Sequence, residues 1–259
     1  MSGVTYRYDQ VMYTPQYREF FEDSDFANFG YWEPGTKNAK QACENLMERL
    51  LAFLPEKKGR VLDVACGKGA TTRHLMRSFP AENITAVNLS EKQLETARAN
   101  APGATFARMD AADLRFPDAS FDAVVCVEAA FHFETRERFL REALRVLKPG
   151  GRIVLSDVLM TLDAERRREH RHEANYLADP KAYESLLKLI GFADLTVKDV
   201  TEESWRGFFR YISAFWHERF LRGEIDRQTL ERCLQTNYAR VGDLTYYLLV
   251  AARKGDKAS

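Results

Sequence analysis

The stretch Arg60-Val-Leu-Asp-Val-Ala-Cys-Gly-Lys-Gly-Ala70 decides the fold of this 259-residue chain. It begins as a short apolar run, which is typical of a strand covered on both faces of a sheet. Gly67 and Gly69 follow in a turn, where the missing Cβ lets the backbone approach a bound molecule closely. A helix expected over residues 70–78 directs its unpaired N–H groups to the same place. The stretch therefore predicts a site for a nucleotide-like cofactor.

The spacing of the glycines excludes the commonest nucleotide sites. A dinucleotide fingerprint needs a third glycine where this chain has Thr72, and a P-loop needs its lysine after the second glycine, whereas Lys68 precedes it. Asp63 disfavours a diphosphate because like charges repel, and it suits a ligand with an ammonium group. The segment from Val61 to Gly69 resembles the first motif of the class I S-adenosylmethionine-dependent methyltransferases.

Composition and charge limit the class of protein. Lys plus Arg and Asp plus Glu number 38 each, so no net charge favours nucleic acid or an anionic membrane. The four cysteines have neither disulfide nor metal-site spacing, and they suit a reducing compartment. The N-terminus lacks a signal-peptide pattern, and no apolar run approaches the roughly 20 residues that span a bilayer. We expect a cytoplasmic protein without a metal site, a nucleic-acid partner or a membrane association.

Strands and helices alternate between residues 58 and 160, which predicts a parallel, doubly wound α/β sheet. Expected strands cover residues 61–65, 84–89, 104–109, 121–127 and 152–160. A helix over 180–190 and strands over 193–200 and 245–254 follow. The resemblance implies a Rossmann-like, seven-stranded, mostly parallel sheet with helices on both faces, in which one of the last strands is antiparallel.

Three regions are predicted along the chain. Residues 1–57 are mostly helical and are expected to form an N-terminal lid. Residues 58–160 form the cofactor-binding core. Residues 161–259 are the C-terminal part of the same domain, with a helical substrate cap at about 202–238 and the last strands.

Open α/β sheets bind ligands outside the carboxyl ends of their strands. The resemblance places the ribose of the cofactor at Asn88, the adenine at Asp110 and the sulfonium near Glu128. The family usually has an acid where this chain has Asn88. The amide of Asn88 can still accept and donate hydrogen bonds, but these lack the contribution of a charge. A helix-capping role is equally open for Gln93. The expected cofactor-binding residues are Asp63, Ala65, Cys66, Gly67, Gly69, Asn88, Leu89, Gln93, Asp110, Ala111 and Glu128.

Methyl transfer to a hydroxyl group needs a base that removes the hydroxyl proton, and histidine is the natural base near neutral pH. His132 follows the fourth strand, and Asp157 lies at the exit of the fifth. The family's sheet brings these strand ends together, where an aspartate increases the basicity of a histidine. The pair resembles the His and Asp of natural-product sugar O-methyltransferases, so we predict a catalytic His132–Asp157 pair. A packing histidine and a loop-binding acid are the alternatives.

Aromatic residues outside the core are predicted to bind the substrate. The segment 202–238 is rich in aromatics, and Gly30-Tyr31-Trp32 resembles an element of related methyltransferases whose N-terminal segment closes over the cofactor. An ordinary buried face explains the same spacing equally well. The basic run of residues 166–172 is interleaved with glutamates, which favours a solvated, salt-bridged helix over an anion site. The expected pocket residues are Tyr13, Tyr17, Tyr31, Trp32, Phe131, Phe209 and Trp216.

These features predict S-adenosylmethionine-dependent methylation of a hydroxyl group on a hydrophobic small molecule, such as a secondary metabolite. C-methylation of a prenyl chain or another alkene is an alternative, because aromatic faces and a carboxylate stabilise a cation. N-methylation and a non-methylating cyclase or scaffold on the same fold are further alternatives. Neutral charge and the lack of an Asn-Pro-Pro-Tyr-like element after the fourth strand disfavour nucleic-acid and protein substrates.

Overall fold

A seven-stranded β-sheet forms the centre of the protein. The computed structural model describes residues 3–169 and 172–256. The strands are β1 (Val61–Val64), β2 (Ile84–Asn88), β3 (Thr105–Arg108), β4 (Phe121–Val127), β5 (Leu147–Met160), β6 (Phe192–Asp199) and β7 (Leu244–Lys254). Their order is β3-β2-β1-β4-β5-β7-β6, and β7 runs antiparallel to both neighbours while the other pairs are parallel. The prediction of a mostly parallel, Rossmann-like sheet is confirmed.

Helices cover both faces of this sheet. Side chains set where they begin: Ser90 Oγ accepts from Gln93 N at 3.2 Å, and Asp179 Oδ1 accepts from Ala182 N at 2.8 Å. No helix within the described residues is long and apolar enough to cross a bilayer. The helices are α1 (Gly3–Val11), α2 (Pro15–Phe20), α3 (Ala39–Leu51), α4 (Ala70–Leu75), α5 (Glu91–Asn100), α6 (Arg136–Val146), α7 (Leu162–Arg167), α8 (Pro180–Ile190), α9 (Gly207–Leu221) and α10 (Arg227–Val241).

The strand order creates a crevice next to β1. The chain winds outward from β1 to β3 and then returns to place β4 on the other side of β1. All four residues of β1 are buried, because helices cover both faces of the sheet at this position. The connections that leave β1 and β4 diverge at such a reversal and leave an opening at the carboxyl ends of the strands.

Among the boundaries that differ from the expectations are one of α4 and one of β5. The helix α4 ends at Leu75 and not at residue 78. The strand β5 begins at Leu147 and not at residue 152, because the turn that contains Gly150 lies within the ladder as an irregularity. Leu147 pairs with Phe121 before this turn, and Arg152 pairs with Ala123 after it.

Aromatic side chains join the N-terminal segment to the helical region 202–238. The ring of Phe20 contacts those of Phe208 and Tyr211 at centroid distances of 5.5 and 5.6 Å. Trp32 stacks on Tyr211 at 4.5 Å. Gly207 permits this approach, since a Cβ there would lie 2.6 Å from the Cβ of Trp32. The aromatic side of α9 is therefore packed against residues 20–32 of the same chain.

A buried ion pair joins β5 to α6. Arg136 Nε donates to Asp157 Oδ2 at 2.7 Å, and the side chains are 2% and 0% exposed. The hydroxyl of Tyr183 on α8 donates to the same oxygen at 3.1 Å, and Val158 N donates to Oδ1 at 2.9 Å. Asp157 therefore links a strand to two helices and is fully hydrogen-bonded by the protein itself.

Replacing Arg136 by Met is expected to destabilise the fold by about 3–5 kcal/mol, because it leaves the carboxylate of Asp157 buried without its cation. The free energy of unfolding in urea measures this loss. Arg141→Met is the matched control: it removes an exposed pair with Glu137 on the same helix and should cost less than about 1 kcal/mol. Equal losses in the two variants would contradict a structural role for the Arg136–Asp157 pair.

Candidate functional site

A cavity opens at the carboxyl ends of β1, β2 and β4. Its empty volume is about 840 Å³, which includes space open to solvent. Apolar side chains form most of its wall, and a few polar groups from different elements interrupt them. Seven of the residues predicted to bind the cofactor line this cavity: Ala65, Gly67, Asn88, Leu89, Gln93, Ala111 and Glu128.

A smaller cavity of about 320 Å³ adjoins the first, and Ala65 and Gly67 line both. Cys66 contributes to the wall of the smaller one. The turn reaches this position through left-handed backbone conformations, with φ of +61° at Ala65 and +55° at Gly67. A Cβ on Gly67 would have no heavy atom closer than 3.9 Å, so it would project into free space. The turn therefore presents its backbone to both cavities.

Gly69 and Asp63 lie behind this turn and line neither cavity. A Cβ on Gly69 would lie 2.8 Å from the Cα of Ala97, so this glycine lets α4 begin close to α5. Asp63 is 1% exposed and accepts hydrogen bonds from the hydroxyls of Thr71 and Thr72, each at 2.7 Å. Burial raises the pKa of Asp63 to about 6. In the structure these two residues support the turn, and Asp63 holds Thr71, which lines the smaller cavity. Their direct contact with a cofactor stays a prediction.

A chain of hydrogen bonds connects α1 to the end of β2. Asn88 Nδ2 donates to Gln93 Oε1 at 2.9 Å, and Gln93 Nε2 donates to Asp9 Oδ1 at 2.6 Å. Ser90 Oγ also donates to Asp9, at 2.8 Å. These contacts hold α1 against the cavity, to whose wall it contributes Tyr8.

Asp110 lies outside the cavity wall. Its side chain is exposed, and Oδ1 accepts a hydrogen bond from Ala112 N at 2.8 Å. The neighbouring Ala111 does line the cavity. The carboxylate of Asp110 is therefore engaged in a local turn, and its contact with an adenine stays a prediction.

Glu128 lines the cavity directly after β4, in a left-handed conformation with φ of +52°. Its Oε2 accepts hydrogen bonds from Phe29 N at 2.8 Å and from the hydroxyl of Tyr247 at 2.7 Å. Burial, with a smaller contribution from the charge of Asp157, raises the pKa of Glu128 to about 8. The cavity wall therefore contains a carboxyl group that titrates near neutral pH.

His132 lies on the cavity wall in a short 3-10 turn, Ala130–His132. Its Nε2 is 3.2 Å from the hydroxyl oxygen of Tyr8, and its Nδ1 is 3.1 Å from Nη2 of Arg168. Burial, together with the charge of Arg168, lowers the pKa of His132 to about 3. The imidazole is therefore neutral at physiological pH.

The expected contact between His132 and Asp157 is absent from the structure, and this part of the prediction is wrong. The carboxylate of Asp157 is bound by Arg136, Tyr183 and its own strand. An arginine that is itself buried needs a carboxylate partner, and Asp157 is committed to that role. Among the described contacts, the polar partners of His132 are Tyr8 and Arg168.

Neither Tyr8 nor Arg168 was predicted to lie at the site, because the sequence has no motif around either residue. Arg168 belongs to the basic run that was expected to be solvated, but α7 ends at Arg167 and the side chain of Arg168 is only 15% exposed. Residues 170 and 171 of that run lie outside the described residues. Tyr8 and Arg168 are 124 and 36 residues from His132 along the chain, so only the tertiary fold brings them to it.

The aromatic residues predicted to bind the substrate pack against the protein itself. Tyr13 donates to Lys92 O, Tyr17 donates to Phe26 O, and Phe131 packs beside His132 at 3.9 Å between ring centroids. None of the seven residues predicted to bind the substrate lines either cavity, so their contact with a substrate stays a prediction; they are Tyr13, Tyr17, Tyr31, Trp32, Phe131, Phe209 and Trp216.

The two cavities together suit S-adenosylmethionine, the cofactor that the resemblance implies. The open side of Gly67 leaves room where the backbone of the turn would meet the methionine part. Asn88 supplies amide hydrogen-bonding groups beside the apolar surface of Leu89 and Met109, as a ribose next to an adenine requires. The residues that would hold the cofactor are thus contributed by three adjacent strand ends.

Comparisons with known proteins agree with this architecture. A family model described as a methyltransferase domain matches residues 62–155. The 27-O-demethylrifamycin SV methyltransferase of Amycolatopsis mediterranei is 34% identical over 195 residues, which cover 68% of this chain and 71% of that protein. The O-methyltransferase resE of Aspergillus sclerotiorum is 27% identical over 256 residues, which cover 92% of this chain and 94% of that protein.

Solved structures show the same fold at lower identity. The [4+2]-cyclase SpnF has a TM-score of 0.74 and 23% identity, and the match covers 98% of this chain and 96% of that chain. The geranyl diphosphate C-methyltransferase of Streptomyces coelicolor A3(2), in complex with S-adenosyl-L-homocysteine, has a TM-score of 0.65 and 16% identity, with 90% and 91% covered. The chain belongs to the class I S-adenosylmethionine-dependent methyltransferases, and S-adenosylmethionine is its cofactor.

Proposed function

We propose that this methyltransferase acts on a hydroxyl group of a hydrophobic small molecule of secondary metabolism. One observation carries the proposal: a neutral imidazole on the cavity wall holds a hydroxyl oxygen, that of Tyr8, at 3.2 Å from Nε2. An acceptor hydroxyl that replaced Tyr8 would make the same contact. The mostly apolar wall suits a hydrophobic acceptor, and the two similar relatives named above are an O-methyltransferase and a methyltransferase of 27-O-demethylrifamycin SV.

The chain's own residues would bind and orient both partners. When bound, S-adenosylmethionine supplies a methyl group on a sulfonium sulfur as the electrophile. The backbone at Gly67, the side chain of Asn88 and the wall at Glu128 would hold it, and α1 would form part of the wall through Tyr8. Positioning the acceptor oxygen in line with the methyl group is then the main contribution of the protein.

The role of His132 as the general base stays a prediction. A base needs a free lone pair at Nε2, which requires the imidazole proton to lie on Nδ1. Nδ1 faces Arg168, so that guanidinium would have to move away first. Contact with the acceptor oxygen through an Nε2–H group does not require this movement.

Replacement of His132 by Ala is expected to lower the turnover of methyl transfer about 100-fold or more, because the acceptor oxygen loses its partner. The measurement is formation of S-adenosylhomocysteine and of methylated product from a panel of hydroxylated hydrophobic compounds. Cofactor affinity, measured by calorimetry, should stay unchanged. His217→Ala removes an exposed histidine of α9 and is the control. Normal turnover of the His132 variant would contradict the proposed position of the acceptor.

C-methylation of an alkene is the second candidate, because Glu128 and the ring of Phe133 on the cavity wall would stabilise a cation. The methylated product distinguishes the two functions: an ether supports the first, and a new carbon–carbon bond supports the second. A cyclase would convert its substrate without forming S-adenosylhomocysteine.

We also propose that Glu128 lies near the sulfonium, and this has a consequence for pH. Above its pKa of about 8 the group is a carboxylate and attracts the cationic S-adenosylmethionine, whereas below this pKa it is neutral. The affinity for S-adenosylmethionine relative to the uncharged sulfur of S-adenosylhomocysteine should therefore rise several-fold as the pH increases through this range. Groups common to both ligands cancel in the ratio.

Glu128→Gln should abolish this pH dependence, since the amide does not ionise. Glu137→Gln changes a more exposed glutamate of α6 and should leave the dependence intact. A ratio that is flat with pH in the wild-type protein would show that Glu128 is remote from the sulfonium.

The N-terminal region, residues 1–57, is proposed as a lid, of which α1 is the part over the cavity. Asp9→Ala removes the hydrogen bonds to Ser90 and Gln93, so the amides of residues 3–12 should exchange faster with deuterium. Cofactor affinity should fall about tenfold with the loss of charge-assisted hydrogen bonds. Gln10→Ala, an exposed neighbour on the same helix, is the control. Unchanged deuterium exchange of these amides in the Asp9 variant would show that the hydrogen bonds of Asp9 do not hold α1 in place.

A further inference from the structure

We propose that Arg168 is a positioning residue that fixes His132 as a hydrogen-bond donor to the acceptor oxygen. This inference rests on the proposed hydroxyl acceptor and assigns His132 a role opposite to that of a base. The contacts of the Arg168 guanidinium carry the proposal, although the sequence predicted that this side chain is solvated.

The guanidinium of Arg168 is held on several sides. Nη1 donates to both carboxylate oxygens of Glu165, at 3.0 and 3.1 Å. Nη2 donates to Phe131 O at 3.1 Å, and the guanidinium carbon lies 5.0 Å from the centroid of the Phe131 ring. Glu165 is itself 6% exposed, so this ion pair is shielded from solvent. Arg168 therefore has a defined position beside the imidazole of His132.

The position of Arg168 determines which ring nitrogen of His132 carries the proton. A guanidinium has only hydrogen-bond donors, so Nδ1, at 3.1 Å from Nη2, must be the acceptor. In a neutral imidazole the proton then lies on Nε2. Nε2 faces the hydroxyl of Tyr8 and therefore donates to its oxygen at 3.2 Å. The tautomer of the neutral ring therefore follows from its contact with a side chain that can only donate hydrogen bonds.

The charges around His132 oppose a second proton on the ring. Arg7, Arg136 and Arg168 each disfavour the imidazolium, and burial acts in the same direction. The carboxylate of Glu165 is paired with Nη1 of Arg168, whereas the ring contacts Nη2. The group that faces Nε2, the hydroxyl of Tyr8, keeps its proton because burial raises its pKa to about 12. His132 is therefore neutral before and after the reaction.

In this scheme an acceptor hydroxyl displaces Tyr8 and receives the hydrogen bond of Nε2–H on its oxygen. The remaining lone pair of that oxygen is directed at the methyl group, and the hydrogen bond favours the ionised form of the hydroxyl. An oxygen–carbon bond forms as the carbon–sulfur bond breaks, the electron pair stays on sulfur, and the hydroxyl proton passes to solvent. His132 neither gains nor loses a proton.

The test is ¹⁵N NMR of protein labelled at histidine, in which His132→Gln identifies the signals of His132. The wild-type ring is expected to be neutral and protonated at Nε2 from about pH 5 to 9. Arg168→Met should raise the pKa of His132 and populate the Nδ1–H tautomer, whereas Arg168→Lys, which keeps one donor, should retain part of the wild-type state. Arg167→Met, which removes an exposed pair with Asp243, is the matched control and should change neither. An Nδ1–H or cationic His132 in the wild-type protein would overturn the proposal.

Turnover gives the second measurement. The amide of Gln donates a hydrogen bond in place of Nε2–H but is not a base, so His132→Gln should stay within about tenfold of the wild type while His132→Ala loses about 100-fold. Equal losses in the two variants would overturn the donor role. The NMR result does not depend on the substrate: an acceptor other than a hydroxyl would refute the proposed function while leaving the assigned tautomer measurable.

Discussion

The parallel pairing of β1 with β2 on one side and β4 on the other is the constraint on which the site depends. It brings together, at one edge of the sheet, the ends of three strands that lie at Val64, Asn88 and Val127 in the sequence. The turn at Gly67, the amide of Asn88 and the carboxyl group of Glu128 then surround the same space. Because β1 is covered on both faces, this edge is where its polar turn can meet a ligand.

The sequence predicted the parts of this arrangement that depend on local pattern. The apolar run of β4, Phe121–Val127, is bounded as expected, because a buried strand has a compositional signal and clear ends. The glycines of the turn after β1, together with Asp63, predicted a cofactor site. The structural roles of those residues were less predictable, because they depend on how α4 packs. Gly69 allows the close contact between α4 and α5, and Asp63 binds two threonines of α4.

The surroundings of His132 could not be predicted, because they are made by side chains from distant segments. Asp157 was predicted to be the partner of His132 from its place at the end of a neighbouring strand, but the buried Arg136 binds its carboxylate. Tyr8 and Arg168 reach the ring from elements without a recognisable motif. The aromatic side chains of α9 illustrate the same limit: their spacing suits a pocket or a buried face, and contacts with residues 20–32 decide for the face.

The hydroxyl of Tyr8 has a consequence for substrate discrimination. Before any substrate arrives, Nε2 of His132 already has an oxygen partner at 3.2 Å, so the cavity contains a hydrogen bond that a ligand must replace. A molecule with an oxygen at that position exchanges one hydrogen bond for another. An analogue with a methyl group there would leave the ring N–H unpaired, at a cost of roughly 1–3 kcal/mol. The cavity should therefore reject analogues that lack the hydroxyl more strongly than those that differ by a methylene elsewhere.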